Sequence, residues 1–135
     1  MCIFCAIAAH EIPSKIVYED DKFIAFLDLT QTTIGHTLVV PKRHSKCIFD
    51  LNDEDAKEIM LVVKKVANKL KASLNPIGLN VVNNNEKPLQ SVDHFHIHLI
   101  PRYENDGQHI LWKPTEPTAE ELKDLCARLR VNTED

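Results

Sequence analysis

The segment HFHIHLIPR, His94 to Arg102, places three histidines at alternate positions, with an apolar residue after each. Successive side chains of a β-strand point to opposite faces of the sheet. We therefore predict a strand with His94, His96 and His98 on one face and an apolar face packed against the core. The apolar positions are Phe95, Ile97 and Leu99.

Three imidazoles on one strand face suit either proton transfer and nucleophilic attack or metal binding. Same-face neighbours are about 7 Å apart, so His94 and His98 would be about 13 Å apart along a straight strand. All three histidines therefore cannot bind one ion without a sharp bend. A polar strand face without chemical function is the alternative, but such faces more often carry Thr, Lys or Glu.

The chain has 135 residues, of which 44% are hydrophobic and 27% charged, and its net charge is −4. These values are typical of one soluble globular domain, which we expect to span 1–135 with a C-terminal helix and tail from about 115. The negative charge disfavours binding to a nucleic acid polymer. A single nucleotide remains a possible ligand, since backbone N–H groups can hold its phosphates.

The hydrophobic pattern predicts an α+β fold with a mainly antiparallel, five-stranded sheet. A long helix is expected from Asp53, with Asn52 as its N-cap, ending before Pro76. Thr118 and Glu121 form a capping box that predicts a late helix. Its apolar face would comprise Leu122, Leu125 and Leu129. The predicted strands are 15–21, 23–29, 36–42, 78–84 and 94–101.

The N-terminal stretch MCIFCAIAA is apolar but too short to span a bilayer, and it lacks the basic residues of a signal peptide. We expect a cytoplasmic protein without membrane association. The spacing of Cys2 and Cys5 is that of half a zinc site or of a redox pair. Two buried thiols without a ligand are the third alternative. We expect Cys47 and Cys126 to be packing residues. The histidines expected on the surface are His10 and His109.

Four further segments accompany the alternating histidines: FLDL (26–29), GHTLVVPKRH (35–44), VVN (81–83) and QSV (90–92). Together with H-φ-H-φ-H-φ-φ, where φ is apolar, they resemble the histidine triad family of nucleotide hydrolases and nucleotidyltransferases. The resemblance spans Cys2 to Arg102 and is strongest to small bacterial, zinc-containing members related to the phosphoramidate-hydrolysing branch. It implies a homodimer in which the sheet continues across the interface.

The resemblance also implies the catalytic roles. His96 would be the nucleophile that attacks the α-phosphorus of a purine nucleotide derivative, with the His94 carbonyl accepting the proton of its other ring nitrogen. His98 and His36 would contact the phosphate and stabilise charge or deliver a proton. Ser91 would hydrogen-bond the phosphate or the leaving group. The substrates would be nucleoside phosphoramidates, adenylates or dinucleoside polyphosphates.

For the rest of the substrate, the resemblance implies that Asp28 accepts hydrogen bonds from both ribose hydroxyls. Asn83 and Gln90 would bind the phosphate side. An apolar slot for the base would comprise Ile3, Phe4, Ile7, Phe26 and Leu29.

Zinc-containing members complete the metal site with histidines that correspond to His44 and His94. The resemblance thus implies a structural zinc ion bound by Cys2, Cys5, His44 and His94, with no catalytic cofactor. The loop 84–90 departs from the family because Leu89 stands where glycine usually precedes Gln-Ser. This loop is the sequence feature that favours an alternative function, a nucleotide-binding regulatory protein with slow or no turnover. A metallohydrolase that uses the triad directly is a second alternative, which the strand spacing disfavours.

Overall fold

The computed structural model describes residues 1–133 and contains one five-stranded antiparallel sheet with the strand order β1-β2-β3-β5-β4. The predicted α+β architecture is confirmed. The strands are β1 (Ile16–Glu19), β2 (Phe23–Leu27), β3 (Thr37–Pro41), β4 (Gly78–Val82) and β5 (Ile97–Arg102). The helices are α1 (Ile3–Ala8), α2 (Asp53–Leu74) and α3 (Ala119–Leu129).

One face of the sheet packs against α2. The buried residues of this layer include Ile59, Val63 and Val66 from the helix. The histidine segment contributes Phe95, Ile97 and Leu99 to the same cluster, so its predicted apolar face lies in the core. Because this face is anchored by packing, the histidines are directed to the other side.

The opposite face of the sheet is covered by α1. Phe4 and Ile7 of this short helix pack with Ile24, Phe26 and Leu38 of β2 and β3. The sulfur of Cys2 accepts a hydrogen bond from the Cys5 N–H at 3.4 Å and caps the helix N-terminus. The sequence pattern did not predict this helix, since six residues are too few for a clear 3.6-residue period.

The long helix α2 begins where its cap was predicted. The Asn52 side chain accepts a hydrogen bond from the Glu54 N–H, and three acidic residues in the first turn suit the positive end of the helix dipole. The helix ends at Asn75, which adopts a left-handed conformation with φ of 49°. Asparagine tolerates this conformation better than most residues.

The strand β5 begins at Ile97, three residues later than predicted. Its pairing with β3 starts where Ile97 faces Val39, and the segment before it turns, with the His94 N–H bonded to the Val92 carbonyl. His94 and His96 therefore precede the strand. Only His98 of the three histidines lies within it.

The C-terminal part of the described chain is exposed from Leu111 to Thr133. The capping box of Thr118 and Glu121 is present at the start of α3, as predicted. All α3 side chains are exposed, so the prediction that Cys126 is a packing residue is wrong for this chain: α3 contacts no core that would bury it. Trp112, on the segment leading to α3, is 85% exposed. Residues 134 and 135 of the predicted tail lie outside the described residues.

None of the helices within residues 1–133 combines the length and the apolar character that crossing a membrane requires.

Candidate active site and metal cluster

An open cavity of about 270 Å³ lies between α1 and the histidine side of the sheet. His96 and His98 form part of its wall, with Asp28 and Ser91 nearby. The cavity also contains all five apolar residues predicted for the base slot, including Phe4, whose ring meets the His96 ring edge to face with centroids 5.1 Å apart. The five residues are Ile3, Phe4, Ile7, Phe26 and Leu29.

The His96 imidazole has one nitrogen fixed by the backbone. Its Nδ1 lies 2.7 Å from the His94 carbonyl oxygen, and because a carbonyl only accepts, Nδ1 carries the proton. Burial lowers the pKa of His96, which favours the neutral ring. Nε2 then has a free lone pair, which is the form a nitrogen nucleophile needs.

His36 and His98 form a hydrogen-bonded pair whose proton positions can be assigned in the same way. The Thr32 N–H donates to His36 Nδ1 at 3.2 Å, so the proton of a neutral His36 ring is on Nε2. His36 Nε2 lies 2.9 Å from His98 Nδ1 and donates to it. His98 therefore carries its own proton on Nε2 and can present it as a donor.

Both rings of this pair are neutral near pH 7. Burial lowers the pKa of His36, although the nearby Asp28 carboxylate opposes this shift. Burial, followed by the neighbouring His96 and His36, lowers the pKa of His98 to about 4. The site thus combines two neutral hydrogen-bond donors with one neutral nucleophile.

Asp28 lies at the rim of the cavity, after β2. One carboxylate oxygen accepts from the Thr30 N–H at 2.8 Å and from the Thr30 hydroxyl at 2.6 Å. Burial would raise the pKa of Asp28, but the Thr30 hydrogen bonds outweigh it and keep that pKa below its ordinary value. The second oxygen lies 3.7 Å from His36 Nε2, so an ionised acceptor remains for a ligand.

Two of the predicted substrate-binding residues point elsewhere. The Gln90 side chain is buried, donates to the Lys46 carbonyl at 2.6 Å and accepts from the Glu86 N–H, so it supports the loop instead of lining the cavity. The Asn83 amide donates to the His96 carbonyl at 2.9 Å and supports the nucleophile from behind. Both residues act on backbone groups.

A second cluster joins the N-terminus to the histidine segment. The ligand atoms of Cys2, Cys5, His44 and His94 all lie within 4.8 Å of one another. Individual separations are 3.3 Å and 3.5 Å from His94 Nδ1 to the two sulfurs, 3.4 Å from Cys5 Sγ to His44 Nδ1, and 3.2 Å between the two imidazole nitrogens. Residues more than 80 positions apart in sequence thus converge on one point.

These separations match a tetrahedral ion. Zinc–sulfur bonds of about 2.3 Å and zinc–nitrogen bonds of about 2.0 Å would hold sulfur and nitrogen about 3.5 Å apart and two nitrogens about 3.3 Å apart. His94 Nε2 lies 2.7 Å from the Pro41 carbonyl, so its proton is there and Nδ1 is bare. A histidine that donates its other N–H to a backbone carbonyl is the usual arrangement of a metal ligand.

Ionisation of Cys5 near neutral pH would require a bound cation. Burial, followed by the hydrogen bond and charge of Cys2, raises the pKa of Cys5 to about 11. A metal ion would compensate for this effect, because thiolates rather than thiols are the ligands. The donor set therefore fits a structural metal.

A third group, Asp28, His36 and His98, also brings ligand atoms within 4.8 Å of one another. Here the Thr32 N–H occupies His36 Nδ1, so His36 Nε2 holds a proton and has no lone pair for an ion. The distance of 2.9 Å between the two imidazole nitrogens is that of a hydrogen bond. This group acts as a hydrogen-bond relay and not as a metal site.

Several functional groups lacked a sequence signal. Ile12, Pro13 and Val92 line the cavity but resemble ordinary surface or core residues in the sequence. The Thr32 N–H and the Pro41 carbonyl set the tautomers of two histidines, and backbone groups carry no side-chain signature.

The chain resembles known proteins over most of its length. A HIT domain model matches residues 9–105. The Protein hit of Bacillus subtilis is 51% identical over 114 residues, which cover 83% of this chain and 79% of the relative. An adenosine 5′-monophosphoramidase of Schizosaccharomyces pombe is 38% identical over 126 residues, or 92% of each chain.

A solved structure gives the same result. The crystal structure of a HIT family protein from Bacillus anthracis superposes with a TM-score of 0.89 at 49% identity, covering 95% of this chain and 94% of that one. Fold, triad and sequence agree over most of the molecule. The chain belongs to the histidine triad, or HIT, family.

Proposed function

We propose that this protein is a nucleotide hydrolase that cleaves purine nucleoside phosphoramidates, adenylates or dinucleoside polyphosphates at the α-phosphorus. The observation that carries the proposal is the His96 ring, buried beside the cavity with Nδ1 bound to the His94 carbonyl and Nε2 free. The similarity to an adenosine 5′-monophosphoramidase supports a phosphoramidate as substrate.

In the proposed reaction, the Nε2 lone pair of His96 attacks phosphorus and a P–N bond forms. The bond from phosphorus to the leaving group breaks, and its electron pair departs with the leaving atom, which takes up a proton from water; the later hydrolysis step returns a proton to the solvent. Water then cleaves the nucleotidyl-histidine, so the nucleoside monophosphate is released. The His94 carbonyl, 2.7 Å from Nδ1, stabilises the positive charge on the modified ring.

The other residues would bind and orient the substrate. His98 would donate Nε2–H to a phosphoryl oxygen, with His36 holding its ring in place at 2.9 Å. Asp28 would accept hydrogen bonds from the two ribose hydroxyls, and Ser91 would contact the phosphate or leaving group. The apolar residues opposite, Phe4 among them, would cover the faces of the base.

Mass spectrometry of the intact protein tests the reaction. Native protein, quenched during turnover of adenosine 5′-phosphoramidate, is expected to gain the mass of one adenylyl group, and the H96A variant none. A matched control is His10→Ala, since His10 is exposed and bound to Glu19 away from the cavity, so this variant should form the adduct.

The opposite result would favour the second function. If native protein binds the nucleotide but forms no adduct and no product, the hydrolase proposal is wrong and a regulatory nucleotide-binding role gains support. The observation behind that alternative is the loop before Ser91, where Leu89 is 69% exposed in place of a glycine.

We also propose that Cys2, Cys5, His44 and His94 bind a structural zinc ion. When bound, the ion would tie α1 to the histidine segment, because the N-cap and the first turn of the helix supply the two sulfurs and the body of the protein supplies the two imidazoles. Reduced thiols are needed for this role, which agrees with the cytoplasmic location that we propose.

Metal removal tests this site. We expect about one zinc per chain by atomic emission, and loss of the metal with a lower unfolding temperature in the C5S variant. Cys126→Ser is the matched control, because Cys126 is exposed on α3, and it should keep the metal. A zinc-free protein with unchanged unfolding temperature and activity would refute the site.

A further inference from the structure

The turn between β2 and β3 carries two of the proposed site residues at its ends. Asp28 begins it and His36 closes it, with the Asp28 N–H bonded to the His36 carbonyl at 3.0 Å. Between them, the Thr32 N–H must reach His36 Nδ1 to fix the tautomer of that ring. The shape of this turn therefore decides where the proton of the His36 and His98 pair lies.

One side chain holds the turn from inside. Gln31 Nε2 donates to the Asp28 carbonyl at 2.5 Å and to the His36 carbonyl at 2.8 Å. Gln31 Oε1 accepts from the Gly35 N–H at 2.9 Å. A single carboxamide thus uses both donors and its acceptor on three backbone groups, including those of both site residues.

The backbone of Gln31 shows that this position is specialised. Its φ is 40°, in the left-handed region that a side chain with a Cβ rarely adopts outside Asn and Asp. A glycine would fit that conformation at lower energy. Glutamine at such a position is explained by what its carboxamide binds.

We propose that Gln31 is a positioning residue, which keeps the Thr32 N–H on His36 Nδ1 and thereby sets the proton positions of the His36 and His98 pair. Without its three hydrogen bonds the turn loosens, and the Thr32 N–H no longer blocks His36 Nδ1. His36 can then adopt the other tautomer, and His98 loses its defined donor. This inference rests on the proposed hydrolase function only for its effect on turnover.

The first measurement is independent of activity. In ¹⁵N NMR spectra of the imidazole rings, native protein should show His36 and His98 each with a bare Nδ1 and a protonated Nε2. The Q31M variant, which keeps the length of the side chain without its hydrogen bonds, should show mixed tautomers at both rings. Unchanged spectra would overturn the proposal.

The second measurement is turnover. Gln31→Met should lower kcat by about tenfold or more, because the donor group is no longer fixed. Tyr103→Phe is the matched control: it removes a hydrogen bond of 2.7 Å to the Ile34 carbonyl of the same turn, yet leaves Gln31 and Thr32 in place. This control should keep native kcat and native tautomers.

A glycine variant separates positioning from folding. Gln31→Gly relieves the left-handed strain, so the protein should fold, but it should show the mixed tautomers and the low kcat of Gln31→Met. If Gln31→Gly instead keeps the native tautomers and the native kcat, the carboxamide of Gln31 does not set the proton positions, and the proposal is wrong. If native protein lacks turnover altogether, the hydrolase function fails while the NMR comparison still decides the role of Gln31.

Discussion

Four histidines at the site each have one ring nitrogen fixed by the backbone or by a neighbouring ring. His94 and His96 donate to the carbonyls of Pro41 and His94, while His36 accepts from Thr32 and donates to His98. The tautomers are therefore a property of the fold. His96 is thereby left with a lone pair for chemistry and His98 with an N–H, whereas both nitrogens of His36 are already hydrogen-bonded.

Buried neutral histidines make the free energy of unfolding depend on pH. Since the pKa of His98 is about 4 in the folded protein and about 6.5 in an unfolded chain, the unfolded state binds more protons between these values. The stabilisation by neutral His98 is thus complete above about pH 6.5 and is lost as pH falls toward 4.

The H98N variant isolates this contribution. In urea denaturation between pH 4.5 and pH 7.5, the free energy of unfolding of native protein should fall toward acid more steeply than that of His98→Asn. The difference between the two slopes should correspond to at most one bound proton. Parallel curves for native protein and His98→Asn would contradict the burial argument.

At the scale of single residues, the sequence predicted which side chains carry chemical function, but it predicted less well where those side chains point. The alternating pattern identified the histidines and the apolar positions behind them, because side-chain period depends only on the strand. It did not show that Gln90 turns to the Lys46 carbonyl, or that Thr32 meets His36. Those contacts depend on turns, whose geometry pairs residues without a repeating pattern.

Among the elements, α2 and α3 share good caps but differ in what they pack against. Helix α2 buries six of its side chains, whereas every side chain of α3 is exposed. Most helix stability in proteins comes from packing of an apolar face. Capping therefore contributes to global stability only in α2.

Removing each cap tests this difference. Asn52→Ala should lower the free energy of unfolding by about 1 kcal/mol, because the Glu54 N–H loses its acceptor at the start of a packed helix. Thr118→Ala should change helix content but leave the urea midpoint of the sheet unchanged. Equal losses in both variants would show that α3 is coupled to the core.

The elements predicted from sequence were those with long or strong patterns. Strands β1 to β4 and helices α2 and α3 lie where alternation, helical period and caps indicated. Helix α1 has no clear signal in the sequence, because six residues are too few for a helical period and its N-cap is the sulfur of Cys2 instead of the usual oxygen. The start of β5 was placed too early, since His94 and His96 continue the alternation before pairing begins.

For the molecule as a whole, we propose that residues 1–135 form one domain, because both hydrophobic clusters are built on the same sheet. We further propose a homodimer formed through β4 and α2. Strand β4 is at one edge of the sheet, with Val81 49% exposed, so a partner strand can continue the hydrogen-bonding.

A lysine on each edge strand tests the interface. Native protein should sediment as a dimer at micromolar concentration, and Val81→Lys should shift it toward monomer, since an edge lysine opposes strand pairing. Val17→Lys is the matched control, because Val17 is 51% exposed on β1 at the opposite edge. A native protein that sediments as a monomer would remove the proposal.

The exposed Trp112 is an intrinsic fluorescence probe of the C-terminal segment that includes α3. It is the single tryptophan of the sequence, and it lies on the segment that leads to α3, with 85% of its surface exposed. An indole in water emits at longer wavelength than one surrounded by apolar groups. If association or nucleotide binding buries Trp112, the fluorescence of the unlabelled protein will therefore shift to shorter wavelength.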